Sequence, residues 1–528
     1  MITSDIIIKI LEINKVKELF GIPGNQILPL YDSLRKSKIK HILTRHEQAA
    51  VHAADGYARS SGKFGTCIST AGPGAMNLVM GVATAFKDSV PLLIITGDND
   101  YPINYNNFQS IKVNDVFKSI TIKSFYPKDG ETAIKNLEEA IQMLNYGPSG
   151  PVHINFPKNV LSEDITYNLT EISPNYSLEN IEVVKKRLEN SERPLILAGG
   201  GVVWSNCEKE LEEFITKNNI PLVTTFHGKG VVSEFNPINL GIVGIRGTDI
   251  SEYALLNSDL ILSLGCRLSE RTIGNIVDLN DFKSKLISIN TNESHLDGLS
   301  MRISVKEFLS KLEDDNFEKS DAWIDEIYTN NQKLIIDGVD DDSLPLRPPF
   351  IINKILENRN CATIISDAGS HTTWTFLLTK NSEPRKLLFS GGFGPMGYGV
   401  PAGIGASIAN PEDKIFVING DGDFQMNLQE LSTIKENNLN ICIFILNNSQ
   451  LGIIKQWEKI NDIPPYQVDL NFNPDFVKLG ESYNIKSFKV INKEELDYVL
   501  GYVNSFKGPC IVEVLTREED IPLPSKLF

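Results

Sequence analysis

Residues 418–452 read INGDGDFQMNLQELSTIKENNLNICIFILNNSQLG, and they place polar groups at the ends of two successive apolar runs. Asp421 stands between two glycines after the first run, and two asparagines ending with Asn448 follow the second. The segment between the runs has helical spacing, so the stretch predicts a strand–helix–strand unit with a right-handed crossover. Because such strands are parallel neighbours, we expect Asp421 and Asn448 at the same edge of a sheet.

The groups at this edge suit a metal bound to a diphosphate. A carboxylate oxygen and an amide oxygen are ligands that Mg²⁺ prefers, and Mg²⁺ keeps further positions for phosphate oxygens and water. The glycines let a diphosphate approach the backbone, and the N-terminus of the next helix favours its charge. Taken singly, GDG is more often a turn and NN a helix start, so the interpretation rests on their joint placement.

Short β-branched runs alternate with helical patterns along most of the chain of 528 residues. Such continuous apolar strands are typical of parallel sheets covered on both faces, which predicts an α/β fold of three doubly wound parallel-sheet domains. Polar stretches at 161–180 and 337–350 are predicted linkers, so we expect domains at 1–165, 180–330 and 345–528. The first and third parts share an order of strand, glycine-rich turn and helix, which suggests related sheets.

Charge and cysteine content exclude several classes of function. The net charge is −16 with no basic block, so neither nucleic acid nor an anionic membrane surface is an expected partner. The six cysteines are scattered singly, which is typical of free thiols in a reducing compartment. The start of the chain lacks a signal-peptide cleavage site, and no run approaches membrane-spanning length. We therefore expect a cytoplasmic protein that acts on small molecules.

The GDG…NN stretch resembles the thiamine-diphosphate motif in the form used by the acetohydroxyacid (acetolactate) synthase family. The resemblance covers nearly the whole chain. RHEQAAVHAADGYARSSGKFGTCISTAGPGAMNLVMGVATAFKDSVPLLIITG (45–97) is similar to the family's first domain, and SDAGSHTTW (366–374) and SGGFGPMGYGVPAGIGASIANPED (390–413) are similar to its third. It implies a pyrimidine-binding domain, a central nucleotide-like domain and a diphosphate domain, with thiamine diphosphate and Mg²⁺ as cofactors.

In the third domain the resemblance implies a metal site and a diphosphate cradle. Asp421, Asn448 and the main-chain carbonyl of Gln450 would hold the metal on the diphosphate. Met396 would be the wedge that keeps the cofactor bent, for which ordinary core filling is the alternative. The implied cofactor contacts of this domain are Gly369, Ser370, His371, Gly394, Met396, Gly420, Gly422 and Asp423.

In the first domain the resemblance assigns the catalytic carboxyl group to Glu47. A carboxyl group at the ring nitrogen of the aminopyrimidine drives the imino tautomer, which then removes the thiazolium C2 proton. In the family this glutamate and the metal site come from different subunits. The resemblance therefore implies a homodimer or homotetramer with active sites at the subunit interface, and a regulatory subunit is a further candidate partner.

Four more residues match positions around the family's reacting centre. Gly24 resembles a backbone donor near the reacting carbon, and Gln109 resembles a polar active-site side chain. Lys123 and Trp457 match residues at the substrate entrance, and an ordinary packing role is an equal alternative for Trp457.

The central domain resembles the family's FAD-carrying domain, with Arg267 and Arg271 as candidate FAD contacts. The alternative is a nucleotide-like fold with an empty groove. Asn290 and Asn292 stand where the family tends to have an acid, which weakens the FAD prediction. Asp98 replaces the family's glutamine, and the segment after Trp457 lacks the family's aromatic–basic pattern, so a changed substrate pocket is expected.

The leading hypothesis is carboligation: pyruvate loses CO₂ and its two-carbon unit joins a second 2-keto acid, which yields precursors of branched-chain amino acids. One alternative is another thiamine-diphosphate-dependent 2-keto acid decarboxylase or lyase-carboligase. His41, His46 and His52 form no adjacent histidine pair, which disfavours simple decarboxylation. A second alternative is a non-catalytic subunit that only holds the cofactor, and the presence of Glu47 together with the metal motif argues against it.

Overall fold

The computed structural model describes residues 1–167, 174, 176–273, 278–329, 336–381 and 383–522. It contains three sheets of six strands whose neighbouring strands run parallel, which confirms the predicted α/β class. Part of the first predicted linker, 168–173 and 175, lies outside the described residues, and the exact domain limits stay predictions. Within the described ranges, no helix combines the length and the apolar character needed to cross a bilayer.

The first sheet has the strand order β2-β1-β3-β4-β6-β5. Strands β3, β4 and β6 are buried along their whole length, as expected for parallel strands covered on both faces. The strands are β1 (Glu18–Gly21), β2 (Lys40–Leu43), β3 (Gly65–Ser69), β4 (Leu92–Asp98), β5 (Lys123–Phe125) and β6 (Pro151–Pro157), and the helices are α1 (Thr3–Ile13), α2 (Leu28–Arg35), α3 (Glu47–Ser61), α4 (Pro73–Asn77), α5 (Val79–Asp88), α6 (Val113–Phe117), α7 (Gly130–Tyr146) and α8 (Lys158–Leu161).

The middle sheet has the order β12-β11-β10-β7-β8-β9. Its strand order reverses between β7 and β10, and such a reversal opens a crevice at the carboxyl ends of the strands. The strands are β7 (Pro194–Ala198), β8 (Leu222–Thr224), β9 (Asn239–Ile242), β10 (Leu260–Leu264), β11 (Leu286–Asn290) and β12 (Leu299–Arg302), and the helices are α9 (Ile181–Asn190), α10 (Gly200–Trp204), α11 (Glu208–Asn218), α12 (Asp249–Asn257), α13 (Glu270–Ile273), α14 (Leu279–Lys285), α15 (Val305–Ser310) and α16 (Asp321–Thr329).

The third sheet has the order β14-β13-β15-β16-β18-β17. Counted within each domain, this is the order of the first sheet, so the related sheets suggested by the sequence share one topology. The strands are β13 (Thr363–Ser366), β14 (Leu387–Leu388), β15 (Ile415–Gly420), β16 (Ile441–Asn447), β17 (Lys486–Val490) and β18 (Cys510–Leu515), and the helices are α17 (Pro348–Glu357), α18 (Ser370–Leu378), α19 (Gly399–Ala409), α20 (Asp421–Phe424), α21 (Leu431–Glu436), α22 (Gly452–Ile460), α23 (Phe476–Ser482) and α24 (Lys493–Ser505).

The first and third domains pack through α3 and α19, whose backbones cross at glycines. A Cβ atom on Gly405 would lie 1.8 Å from the carbonyl oxygen of Ala53, and one on Gly56 would lie 2.1 Å from that of Ala402. Buried apolar residues of both domains form one continuous hydrophobic cluster around this crossing. The two domains therefore share a core within one chain.

A buried polar cluster joins all three domains beside this crossing. Arg59 of α3 donates to Asp55 (2.6 Å) and to Asp88 (2.8 Å). Tyr398 donates to Asp55 (2.7 Å), and Nε2 of His227, from the middle domain, lies 3.3 Å from Asp88. Because buried charges persist only when paired and hydrogen-bonded, this cluster specifies how the three domains meet.

Candidate active site

The strand–helix–strand unit that opened the sequence argument has the predicted form at its two ends. β15 and β16 are parallel neighbours, with Gly420 opposite Leu446. Asp421 directly follows β15, and Asn448 directly follows β16, so both lie at the carboxyl edge of the third sheet. The single helix predicted between them is instead α20, a 3₁₀ turn at Leu428–Glu430, and α21.

The carboxylate of Asp421 is buried and oriented by its neighbours. Asn473 Nδ2 donates to its Oδ2 at 2.7 Å. Burial raises the pKa of Asp421, and hydrogen bonds from Asn473 and from the backbone of Ser449 and Gly422 oppose that rise. The contact with Ser449 joins the end of β15 to the loop after β16. A fixed carboxylate beside a second loop is the geometry that a shared cation requires.

The loop after β16 is a tight turn that presents oxygen atoms. Asn448 Oδ1 accepts from the backbone of Gln450 at 3.1 Å, and Ser449 adopts a left-handed φ of 56°. Gln450 and Asp469 form an isolated antiparallel β-bridge. Its hydrogen bonds run from Leu451 to Val468 and from Leu470 to Ser449, so the bridge does not use the carbonyl of Gln450. The side-chain oxygen of Gln450 is buried without a hydrogen-bond partner.

Helix α18 begins at the same edge, with Gly369 as its N-cap and Ser370 and His371 as its first residues. Burial lowers the pKa of His371 to about 4, so the ring is neutral at physiological pH. Its buried Nε2 has no hydrogen-bond partner, although Asp423 Oδ2 lies 3.5 Å away. A buried polar atom without a partner is expected where a ligand completes the bonding.

Two buried acids, Asp367 and Asp423, form hydrogen bonds with the backbone at the carboxyl edge of the third sheet. Asp423 accepts from the backbone of Gly420 at 2.8 Å, and Asn419 donates to both Asp423 and Asp367. Burial and the nearby carboxylate of Asp367 raise the pKa of Asp423 well above its ordinary value. Asp367 in turn accepts from the backbone of Gly397 and Gly399. These bonds tie the predicted diphosphate loops to the glycine-rich segment that carries Met396.

Met396 and Trp457 line the same cavity, which measures about 510 Å³. The methyl group of Met396 lies 3.4 Å from the place of a Cβ on Gly422, so a side chain there would press on it. Gly394, with φ of 65°, also lines the cavity. Trp457 is 37 % exposed, which is more than a core packing residue would be. Among the described lining residues, none comes from the first domain.

The first-domain candidates gather around a different loop, the one that follows β3. A Cβ on Gly24 would meet Thr70 at 2.4 Å, and one on Gly72 would meet Gln109 at 2.5 Å. Glu47 opens α3, and its carboxylate accepts from Asn77 at 2.9 Å. Gly24, Glu47 and Gln109 are therefore assembled together, but apart from the cavity at Asp421 within this chain.

Lys123 does not join this group. It begins β5, at the amino edge of the first sheet, whereas Gly24 and Glu47 follow the carboxyl ends of β1 and β2. Its ammonium group pairs with Glu139 of α7 at 2.5 Å. The structure thus brings Lys123 to the opposite edge of the first sheet from the other candidates, and its position at the substrate entrance stays a prediction.

Asp98, the departure from the family's glutamine, points into the first domain. It is buried at the end of β4 and accepts from Asn155 (2.7 Å) and from the backbone of Asn99 (2.8 Å). Burial raises the pKa of Asp98 above its ordinary value. The carboxylate of Asp98 makes its hydrogen bonds within the first domain. The replacement of the family's glutamine by Asp98 therefore does not add a free charge to the candidate active site.

The crevice at the switch point of the middle sheet is a cavity of about 640 Å³ lined by all three domains. Gly200 follows β7 and Arg267 follows β10, and both line it. Arg271 lines this cavity and also the one at Asp421. Asn290 donates to the carbonyl of Cys266, and the side-chain oxygen of Asn292 caps a short 3₁₀ turn, so both amides already make hydrogen bonds within the protein.

The donor set at the carboxyl edge of the third sheet fits a metal–diphosphate. One carboxylate, one side-chain amide and one backbone carbonyl come together beside the N-terminus of α18 and the unpartnered nitrogen of His371. Within the described part of the chain, no group of three or more His, Cys, Asp and Glu side chains is placed to hold a metal by itself. A cation here would thus depend on phosphate oxygens to complete its shell.

Several site residues escaped the sequence analysis. Asn473 lies in an irregular segment without a pattern that points to Asp421, and Asn77 ends a short helix. Asp367 follows β13, so the rule that selected Asp421 could have found it. Arg246 lines the cavity from the loop after β9 and belongs to no motif that the sequence analysis identified.

Three family models match the chain in order. They are described as thiamine pyrophosphate enzyme N-terminal TPP binding domain (1–117), central domain (181–312) and C-terminal TPP binding domain (367–514).

Curated relatives cover almost the full length. A probable acetolactate synthase large subunit of Methanococcus aeolicus is 38 % identical over 97 % of this chain and 91 % of the relative. The acetolactate synthase large subunit of Cyanidium caldarium is 36 % identical over 97 % and 92 %. That of Haemophilus influenzae is 31 % identical over 99 % and 96 %.

Proposed function

This chain belongs to the thiamine pyrophosphate enzymes, in the family of acetolactate synthase large subunits, and from that premise we propose how its own residues carry out the reaction. It is an acetolactate synthase-like, thiamine-diphosphate-dependent transferase of branched-chain amino acid biosynthesis. In the proposed reaction pyruvate loses CO₂, and its two-carbon unit is transferred to a second 2-keto acid. When bound, thiamine diphosphate supplies the electron sink that makes the loss of CO₂ possible.

Asp421, Asn448 and the carbonyl of Gln450 hold Mg²⁺ on the diphosphate in this proposal. The observation that carries it is the meeting of the two strand ends, where the backbone of Ser449 contacts the Asp421 carboxylate. Asn473 fixes the carboxylate through its second oxygen. Gly369, Ser370 and His371 bind the phosphate oxygens, and the unpartnered Nε2 of His371 supports that role.

Glu47 would hold and exchange a proton at the ring of a bound cofactor. Its carboxyl group is buried at the N-terminus of α3, where Asn77 fixes one oxygen and Gly74 leaves space beside the other. Gly24 and Gln109 lie around the same loop, where they would border the reacting centre of a bound cofactor. Met396 would support the cofactor rings, and Trp457 would border the acceptor, since both line the cavity at Asp421.

A second copy of the chain completes the site. Within one chain Glu47 and the Asp421 cavity lie apart, since none of the described residues that line this cavity comes from the first domain. A homodimer, alone or paired into a homotetramer, would bring the Glu47 group of one subunit to the Asp421 cavity of the other. The printed names of the relatives contain "large subunit", which supports a regulatory partner as well.

The middle-domain cavity is proposed as a weak FAD site. The strand-order reversal, the glycines after β7 and the nearby Arg267 support a dinucleotide, whereas Asn290 and Asn292 are engaged by the protein. An absorbance spectrum of freshly purified protein, with and without added FAD, tests this. Absence of flavin, with no change in melting temperature or in acetolactate formation at saturating FAD, would mean that the cavity binds no flavin.

We also propose a reducing cytoplasm as the compartment, because the cysteines are free thiols.

The test of the reaction is incubation with pyruvate, thiamine diphosphate and Mg²⁺, followed by separate assays of acetolactate, acetaldehyde and CO₂. A carboligase forms one acetolactate for each CO₂. Acetaldehyde in place of acetolactate would identify a decarboxylase, and absence of CO₂ would leave only a cofactor-holding subunit. Protein without added Mg²⁺ and chelated with EDTA is the control for metal dependence.

A further inference from the structure

Two arginines from the middle domain line the same cavity of about 510 Å³ as the proposed metal–diphosphate loops. Arg246 lies on the loop between β9 and α12, and Arg271 lies on α13. Both line the cavity together with Asp421, Asn448 and Trp457, which come from the third domain. The third domain therefore lines the cavity with acidic residues that suit a cation, and the middle domain lines it with two arginines, which form a cationic wall.

Neither guanidinium has a carboxylate partner within 4 Å in the described part of the chain. Arg246 donates to the carbonyl of Pro522 at 2.8 Å, and Arg271 donates to the carbonyl of Gly391 at 2.5 Å. Arg271 also stacks on Phe226, with its guanidinium carbon 5.3 Å from the ring centroid. Each contact uses one of five N–H donors, so both side chains keep donors for a ligand.

The acids that share the cavity are already engaged. Glu519 is held by Arg347 through two hydrogen bonds of 2.5 and 2.8 Å. Asp421 is bonded to Asn473, and Asp423 to Asn419 and Gly420. None of these carboxylates is left over to neutralise the cationic wall.

The two positive charges also disfavour each other. Burial and the charge of Arg271 lower the pKa of Arg246 below its ordinary value. A pair of like charges in a half-buried cavity is costly unless an anion binds between them. Guanidinium groups bind carboxylates through two parallel hydrogen bonds, which makes them specific for this anion.

An ordinary 2-keto acid carries one carboxylate, which could pair with only one of the two guanidinium groups. The diphosphate already has hydrogen-bond donors on the third domain, so it does not require the second guanidinium. We propose that Arg246, beside Arg271, selects an acceptor 2-keto acid that carries a second carboxylate. This inference rests on the proposed carboligation and adds a second acceptor class to the monocarboxylates of branched-chain amino acid synthesis. Arg246 is the specificity-determining residue, because its side chain would meet the added negative charge.

The proposed step is balanced without a further reactant. The bond between C1 and C2 of pyruvate breaks and CO₂ leaves. The electron pair of that bond forms the new carbon–carbon bond to the carbonyl carbon of the dicarboxylate acceptor. The acceptor's carbonyl oxygen takes up one proton and becomes a hydroxyl group.

A competition experiment tests the selection. The holoenzyme receives pyruvate as donor and either oxaloacetate or 2-oxoglutarate as acceptor, in competition with 2-oxobutyrate, which lacks the second charge. We expect wild type to favour at least one dicarboxylate by about tenfold or more in kcat/KM. Arg246→Gln should lower kcat/KM for that acceptor by about 10–100-fold, the range for a lost hydrogen bond to a charged group, and change that for 2-oxobutyrate by less than about threefold.

Controls separate selection from folding and from flavin loss. Arg302→Gln removes an exposed arginine of the same domain that pairs with Glu293, and it should behave as wild type. Arg246→Lys keeps the positive charge but lacks the planar guanidinium group that binds a carboxylate through two hydrogen bonds. Its kcat/KM for the dicarboxylate should lie between those of wild type and Arg246→Gln. Flavin content and melting temperature are measured for each variant. Calorimetric binding of glutarate, with butyrate as the reference, should weaken in Arg246→Gln by a similar factor.

The outcomes distinguish the inference from the proposed function. Acetolactate formation from pyruvate alone, with no preference for either dicarboxylate, overturns the acceptor class and leaves carboligation intact. An equal loss of activity with all acceptors in Arg246→Gln assigns Arg246 a structural role and overturns the selection. Absence of any carboligation overturns both.

Discussion

Two carboxylates, Glu47 and Asp421, have different surroundings that match different tasks. Glu47 is buried, and Asn77 donates to one oxygen of its carboxyl group. Burial raises the pKa of Asp421, and hydrogen bonds from the side chain of Asn473 and from backbone groups oppose that rise and fix the carboxylate in place. Single substitutions should therefore separate chemistry from cofactor retention.

We predict that Glu47→Gln lowers turnover with pyruvate by about 10²–10⁴-fold, because an amide cannot exchange the proton that activates the cofactor ring. Affinity for thiamine diphosphate, measured by fluorescence titration, should stay close to that of wild type. Glu131→Gln, an exposed glutamate in the first turn of α7, is the matched control. Turnover close to wild type would remove Glu47 from its proposed role.

We predict that Asp421→Ala weakens binding of thiamine diphosphate in Mg²⁺ by at least about 10–100-fold, the range for loss of even an outer contact of a metal. The variant loses its only carboxylate ligand, so the metal no longer links protein and diphosphate. Titration of the cofactor against the variant measures this, and Asp497→Ala on the exposed surface of α24 is the control. Unchanged affinity would locate the site elsewhere.

At the scale of elements, the crossing of α3 and α19 depends on two glycines. Each helix approaches the backbone of the other so closely that a single methyl group would overlap a carbonyl oxygen. The same two helices carry the residues that anchor the buried cluster, Arg59 on α3 and Tyr398 just before α19. The crossing thus determines the distance between the first and third sheets.

We predict that Gly405→Ala lowers the free energy of unfolding by about 1–3 kcal/mol, because the added Cβ would lie 1.8 Å from the carbonyl oxygen of Ala53 and the helices must move apart. Gly501→Ala is the matched control, since no atom lies within 4 Å of its Cβ and the residue is exposed in α24. Gly501→Ala should stabilise by about 0.5–1 kcal/mol. Urea denaturation measures both, and equal effects would contradict the close crossing.

The broken helix after Asp421 is another feature of element scale. Its apolar spacing predicts one helix, but the buried amide of Asn427 donates to the carbonyl of Gly397 at 2.7 Å. This bond to the loop that carries Met396 competes with the helical path. The chain therefore turns between α20 and α21, and the turn links the metal loop to the glycine-rich segment.

At the scale of the whole molecule, the separation of Glu47 from the Asp421 cavity predicts shared active sites. We expect co-expression of Glu47→Gln and Asp421→Ala subunits to restore about a quarter of wild-type activity, because random pairing makes half of the dimers mixed and each mixed dimer has one intact site. Each variant expressed alone should stay inactive. The measurement is acetolactate formation by the purified mixture.

Two results would contradict shared sites. A mixture no more active than its parents, in dimers shown by mass spectrometry to contain both subunits, would mean that each chain builds its own site. Recovery by a monomeric fraction would mean the same. Size-exclusion chromatography with light scattering establishes which species carries the activity.

Local patterns in the sequence determined the α/β class and the strand ends that carry Asp421 and Asn448, whereas the proposed role of Glu47 rests on the resemblance of its segment to the family's first domain. Continuous apolar runs indicate strands that are buried on both faces, and glycines indicate turns. Both signals come from residues that are close together in the sequence, so they can be recognised without the tertiary structure. The GDG and NN signals lie at the ends of adjacent strands because a right-handed crossover leaves little choice of topology. The predicted relation of the first and third sheets has the same origin, and their strand orders are identical.

Only the tertiary structure decided which distant segments meet. Asn473 donates to Asp421, Arg246 and Arg271 line one cavity, and Lys123 lies at the amino edge of its sheet. None of these follows from spacing along the chain, because each depends on how loops and domains pack around a shared core. The physical reason is that local propensity determines elements, whereas side-chain convergence depends on long-range burial and on the close approach of helices such as α3 and α19.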